Sequence, residues 1–191
     1  GLSDPPVRME IPTALRAGVK THARPEAAAV VALLDGSRDL NEVLAQSPLD
    51  DWATLKILHF LRSVRALVPA DVGPERRGSA RLSVEIPIEY QSLQSFQKTP
   101  GFNLSARGVY IRTAVPYDMG EQVLLRFQLP SQETSVKVAG QVVWRNADPK
   151  KLGGMGMGIQ FVDVSGADRE AIEQYMVQCI AMQVSDVGKG Q

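Results

Sequence analysis

The apolar residues of this chain change their spacing near residue 70, so one regular architecture cannot serve both halves. A helix repeats every 3.6 residues and a strand every two, and a change of period marks a change of element. Before residue 70 the spacing is helical. Ala27 to Leu34 is an alanine- and valine-rich helix candidate that stops at Asp35-Gly36, a good C-terminal turn. Leu40, Val43 and Leu44 follow Asp39, which suits the cap of a short helix. A third helix is expected after Pro48, capped by Asp50 or Asp51, with Trp52, Leu55, Leu58, Phe60, Leu61 and Val64 on its apolar face. Ala66 to Val68 reads as a short strand. Three small helices and a strand suggest a winged-helix-like module over residues 1–68.

Residues 69–81 carry two prolines, two glycines and a run of charge, which discourages regular structure and marks a linker. From Leu82 the period is two. Leu82, Val84, Ile86 and Ile88 alternate with Ser83, Glu85, Pro87 and Glu89, a half-buried strand whose proline places it at an edge or a bulge. Further strands are expected at Gly108 to Thr113, Gln122 to Leu129, Ser135 to Trp144 and Gly156 to Val164, with turn residues between them. After Gly166 comes a helix with Ile172, Tyr175, Met176, Cys179 and Ile180 on one stripe, expected to pack on a barrel mouth or a partner. The predicted class is α+β: a small helical module, then a small antiparallel barrel with its C-terminal helix over residues 82–183, then a tail at 184–191.

Acidic and basic residues balance at 21 each, so bulk charge does not tie the chain to nucleic acid or membrane, and an anion must be gripped locally. One cysteine and two histidines argue against an internal disulfide and a structural zinc site. No apolar stretch approaches the roughly 20 residues of a bilayer span, and no signal-peptide pattern opens the chain. The expectation is a soluble cytoplasmic protein without a membrane span. Its first residue is Gly1, which leaves open that the sequence is a piece of something longer.

Two short motifs carry candidate chemistry. Arg76 precedes Arg77-Gly-Ser-Ala-Arg81, and residues four apart face one side whether the segment is extended or helical. Arginine's planar fork of donors suits the O6/N7 edge of guanine and phosphate oxygens. Taken alone, this run reads better as a solvated basic linker. The second motif is Asn103-Leu-Ser105-Ala-Arg-Gly108. On a strand Asn103 and Ser105 share a face, Leu104 turns into the core, and Gly108 permits a bulge or a close backbone approach. Alone it reads better as a strand-entry turn.

Together, R-x-x-x-R and, roughly twenty residues later, N-x-S-x-x-G resemble the signature of the PilZ family of cyclic di-GMP receptors. Val109-Tyr-Ile-Arg-Thr113, Gly140-Gln-Val-Val-Trp144, Gly156-Met-Gly-Ile-Gln-Phe161 and the final helix follow in order, so the resemblance spans residues 75 to about 180. It implies cyclic di-GMP as ligand, with no cofactor. Arg77 and Arg81 would grip guanine and phosphate, while Asn103 and Ser105 would contact the second side of the purine. It also implies that a basic residue at Arg76 accompanies a stacked ligand pair. Ordering such an arm costs roughly 1–2 kcal/mol of backbone entropy per residue, which ligand contacts must offset. From Leu33-Leu34-Asp35-Gly36 onward the helical module resembles segments found beside bacterial signalling domains.

Other features read as structure. The glycines from Gly153 to Gly158 precede an alternating strand, which favours a hairpin turn over a dinucleotide loop. Trp144 is expected in the core or as a lid over it, and Cys179 in apolar packing. His22 and His59 receive no role. No nucleophile, base and oxyanion donors assemble, so no enzyme activity is expected. A protein partner is expected at the helical module or the C-terminal helix. Nucleic acid is disfavoured despite Lys56, His59, Arg62 and Arg65, because residues 50 and 51 are acidic and no base-reading pattern is evident. The rival reading is a protein-interaction adapter that works without nucleotide.

Overall fold

Side-chain caps start the third and fourth helices of the first half. In the computed structural model, which describes residues 7–70, 80–91, 96–130, 135–150 and 154–187, Asp39 and Glu42 form a reciprocal capping box at the start of α3 (Leu40–Gln46). The Asp39 carboxylate accepts from the Glu42 N–H at 2.9 Å, and Glu42 accepts from the Asp39 N–H at 2.9 Å. Asp50 caps α4 (Asp51–Ser63) by accepting from the Ala53 N–H at 2.8 Å. α4 ends with Arg65 in the left-handed region (φ 57°), while the Ala66 N–H donates to the Leu61 carbonyl and the Arg65 N–H to that of Arg62. This is a Schellman-type stop carried by a non-glycine residue.

The first unit comprises Gly1–Ala80 together with Met176–Gln191. Besides α3 and α4 it holds α1 (Thr13–His22), α2 (Pro25–Leu33) and three short strands, β1 (Arg8–Glu10), β2 (Asp35–Asp39) and β3 (Val68–Pro69), in the order β2-β1-β3. The sequence pattern gave no sign of α1 or β1: neither shows a sustained apolar repeat, and α1 buries only Val19. α2 stops at Leu33, before the Asp35-Gly36 stop expected there, but those two residues open β2, with Gly36 at φ +86°. There the Ser37 hydroxyl and N–H, helped by Arg38, hold the Asp35 carboxyl below the usual carboxylate range. Val19, Val30, Val31, Leu34, Ile57 and Leu61 are fully buried.

The core face of α4 differs from the one expected. Ala53, Thr54, Ile57, Leu58 and Leu61 are buried, whereas Trp52 is 68% exposed and Leu55 38%. Counting large apolar residues overlooked the small side of the helix. Thr54 can be buried there because its hydroxyl meets the Asp50 carbonyl at 2.9 Å and Ser47 Oγ at 2.6 Å.

The second unit, Arg81–Tyr175, contains six antiparallel strands: β4 (Leu82–Gln91), β5 (Phe96–Ser105), β6 (Gly108–Arg112), β7 (Gln122–Gln128), β8 (Ser135–Asn146) and β9 (Gly156–Asp163). They close into a barrel in the order β4-β5-β6-β9-β8-β7. β7 shows the expected alternation, burying Val123, Leu125 and Phe127 and exposing the residues between. β5 is longer than the motif at its end suggested, because Pro100 and Gly101 break any apolar alternation there. Pro87 is not at a free edge, since β4 pairs with both β5 and β7. It sits beside a register shift between Ser83 and Ile86, opposite Pro100, just before the β7 ladder begins at Ile88. The expected hairpin of the glycine run joins β8 to β9, with Asn146 opposite Gly156 and Gly154 at φ +72°.

α5 (Gly166–Val187) is capped by Ser165, whose hydroxyl accepts from the Asp168 N–H at 3.0 Å. Its residues from Met176 onward group with the helical unit, whereas the sequence reading kept the helix to residue 183 with the barrel. There Ile180, Ala181 and Val184 are buried, and Ser185 Oγ accepts from the Arg24 N–H at 2.9 Å. No helix among the described residues is long and apolar enough to cross a membrane.

Candidate functional site

Cross-strand register builds a groove on the outside of the barrel. Reading across it, Ser83 of β4 pairs with Asn103 of β5, Asn103 with Tyr110 of β6, Tyr110 with Gly158 of β9, and Gly158 with Trp144 of β8. Side chains in such a row share a face. Gly158 contributes none, and over it the rings of Tyr110 and Trp144 meet with centroids 5.5 Å apart and planes at 59°. A Cβ at residue 158 would stand 3.3 Å from that of Trp144, so a larger residue there would press on the indole. The groove encloses about 620 Å³. Arg81, Asn103, Ser105, Arg107, Gly108, Tyr110, Val143, Trp144 and Gln160 are among the residues that line it.

Of the residues singled out from the sequence, Arg81, Asn103, Ser105 and Gly108 therefore border one cavity. Arg76 and Arg77 lie outside the described residues. Arg81 is exposed just before β4, and among the described residues neither its guanidinium nor the half-buried Asn103 amide has a hydrogen-bond partner. Leu104 is buried, as its position between Asn103 and Ser105 requires.

Ser105 and Gly108 also have structural work. The Ser105 hydroxyl donates to the Gly108 carbonyl at 3.0 Å and accepts from the Arg107 N–H at 3.3 Å, closing the two-residue turn between β5 and β6. Its proton is thus committed, and toward the groove it offers a lone pair. The Arg107 carbonyl accepts from the Phe161 N–H at 2.9 Å, which fastens this turn to β9. A Cβ on residue 108 would lie 2.3 Å from the Ile159 carbonyl oxygen. The close approach expected at Gly108 is therefore to a neighbouring strand.

Sequence reasoning missed the aromatic wall and Arg107. Trp144 is 45% exposed and is not in the core. Strict alternation from Val136, Val138 and Val142 points it inward, but a register shift between Val142 and Trp144 turns Val143 and Trp144 outward in succession. No local signal in the sequence marks that bulge. Tyr110 was legible, since it alternates with the buried Val109 and Ile111. Burial pushes the Tyr110 phenol above its ordinary pKa, against the opposing pull of Arg112, so it stays protonated and donates to the Gly154 carbonyl at 3.1 Å. The Asn146 amide donates to the same oxygen at 2.8 Å, which holds the β8–β9 hairpin beside the groove. Among the described residues no cluster of histidine, cysteine or carboxylate side chains is arranged to hold a metal ion.

No curated protein is significantly similar to this chain in sequence. In fold it is similar to the Bacillus subtilis inhibitor of motility MotI/DgrA, at 23% identity and a TM-score of 0.49, over 62% of this chain and 54% of that one. It thus spans only about half of that protein. It is similar to the PilZ domain of Escherichia coli YcgR, solved with cyclic di-GMP, at 16% identity and 0.43, over 58% of this chain and 95% of that one. A third likeness is to the PilZ domain of CeSA from a cellulose-synthesizing bacterium, at 16% identity and 0.37, over 49% and 91%. At these identities and scores the likenesses carry no part of the assignment. The PilZ domain model matches residues 75–178, more than half of the sequence, and this chain belongs to the PilZ domain family.

Proposed function

We propose that the groove binds cyclic di-GMP and that the chain is a receptor rather than an enzyme. The observation that carries this reading is the meeting of Arg81, Asn103 and Ser105 in one cavity with an aromatic pair. A purine needs a planar donor for its O6/N7 edge, an acceptor for its N–H groups and a surface to stack on. Arg81 offers the first, the Ser105 lone pair and the Asn103 carbonyl the second, and Trp144 with Tyr110 the third. Arg107 adds a cation for phosphate, and Arg76 and Arg77 complete the charge. No cofactor is needed.

Isothermal titration with cyclic di-GMP tests the reading. The parent chain should bind saturably, with two ligands per chain if Arg76 supports a stacked pair. Arg77→Ala or Arg81→Ala should each remove about 1.5–3 kcal/mol, more than tenfold in affinity. A parent that gives no binding heat, or two mutants that bind like the parent, would refute it. Because the arginine motif lies in one of the two covalent links between helical unit and barrel, the other being α5, ligand capture should also change the distance between the two units. Small-angle scattering that is unchanged at saturating ligand would remove this switch and leave the binding intact. The adapter reading, independent of nucleotide, has one observation in its favour: Ser105 and Gly108 are already explained by the β5–β6–β9 contact. An unliganded parent chain in the titration would select it.

A further inference from the structure

On α4 the residues that do not face the core form a second ordered stripe. Trp52, Leu55, Lys56, His59 and Arg62 recur at helical spacing, and all are exposed except the half-buried Lys56. Trp52 is the most exposed large apolar side chain among the described residues. The Lys56 ammonium lies over its ring, 5.4 Å from the centroid, a cation–π contact. The stripe thus has an aromatic–aliphatic end at Trp52 and Leu55 and a polar end at Lys56, His59 and Arg62, where Lys56 and Arg62 carry positive charge. Such a surface is shaped for an anchor residue surrounded by charge.

We infer that this face of α4 docks a protein segment that is apolar in its centre and acidic at its margins, an amphipathic helix with glutamate or aspartate beside its leucines. Charge complementarity selects this occupant. Duplex DNA would leave Trp52 and Leu55 against phosphates, and it would bring phosphates toward the carboxylate of Asp51. An acidic helix instead covers the indole with leucine and pairs its carboxylates with the cations Lys56 and Arg62. The inference does not depend on what the barrel binds.

The test uses the full chain with Trp144→Phe, which leaves Trp52 as the sole tryptophan. The probes are a synthetic helix with leucines at i, i+3, i+4 and i+7 flanked by glutamates, its twin with lysines in place of the glutamates, and duplex DNA. The glutamate peptide should shift Trp52 emission to the blue and saturate, while the lysine twin and the DNA leave it unchanged. Lys56→Glu with Arg62→Glu should weaken the glutamate peptide at least tenfold and gain binding of the lysine twin. That rescue separates recognition from loss of fold. An inert glutamate peptide, equal binding of both peptides, or binding of DNA instead would overturn the inference. So would self-association of the chain that Trp52→Glu abolishes, which would make a second copy the occupant.

Discussion

The helical unit and the barrel differ in how much of their structure is set by local bonds. In the helical unit the helix starts and stops are local: Asp39 with Glu42, Asp50 with Ala53, and Arg65 and Ala66 with the last turn of α4. Its small sheet and the Arg24–Ser185 bond reach farther along the chain. In the barrel the bonds are ladders between strands far apart in sequence, and the groove exists only because five strands bring Ser83, Asn103, Tyr110, Gly158 and Trp144 into one row. Damage to the helical unit should therefore stay a matter of its stability. Damage near the groove should change stability and ligand affinity together, in proportions set by what each side chain holds.

The largest effect should follow Leu61→Ala, which truncates a fully buried side chain of the helical unit. A cost of about 2–5 kcal/mol is expected, read by thermal unfolding of a Trp144→Phe chain through Trp52. Cyclic di-GMP affinity at a temperature where both units are folded should be unchanged. A parallel loss of affinity would mean that the barrel does not stand on its own ladders.

Asn103→Ala and Ser105→Ala sharpen the contrast inside the barrel. Ser105→Ala removes two hydrogen bonds that close the β5–β6 turn, so it should cost about 1 kcal/mol of stability as well as affinity. Asn103→Ala removes an amide with no partner among the described residues, so its cost should fall on cyclic di-GMP and leave the melting temperature nearly unmoved. Melting curves and titrations of the two variants side by side check this, and equal changes in both measures would erase the distinction.

The same contrast of range decides what was legible in the sequence. Asp39 and Asp50 announce their helices within three residues, and the alternation of β4, β7 and β9 is visible in any short window. R-x-x-x-R and N-x-S-x-x-G were legible because each is a local spacing, although the first lies largely outside the described residues. Of the two places expected for Trp144, core or lid, the core was excluded by a bulge against β9 that turned it outward, and a bulge is a property of two strands. Trp52 and Leu55 were misplaced because hydrophobicity alone does not say which of two apolar faces meets the core. In each case the missing information was a contact with a distant element.

The proposed place of the ligand is the outer groove of the barrel, against Trp144. A Trp52→Phe chain leaves Trp144 as the only tryptophan, already half-exposed and next to Tyr110. Titrated with cyclic di-GMP, its emission should change saturably, over the same concentrations at which calorimetry registers binding, and Arg81→Ala should shift both curves by more than tenfold. Calorimetric binding with no change in Trp144 emission would place the ligand elsewhere and contradict the account.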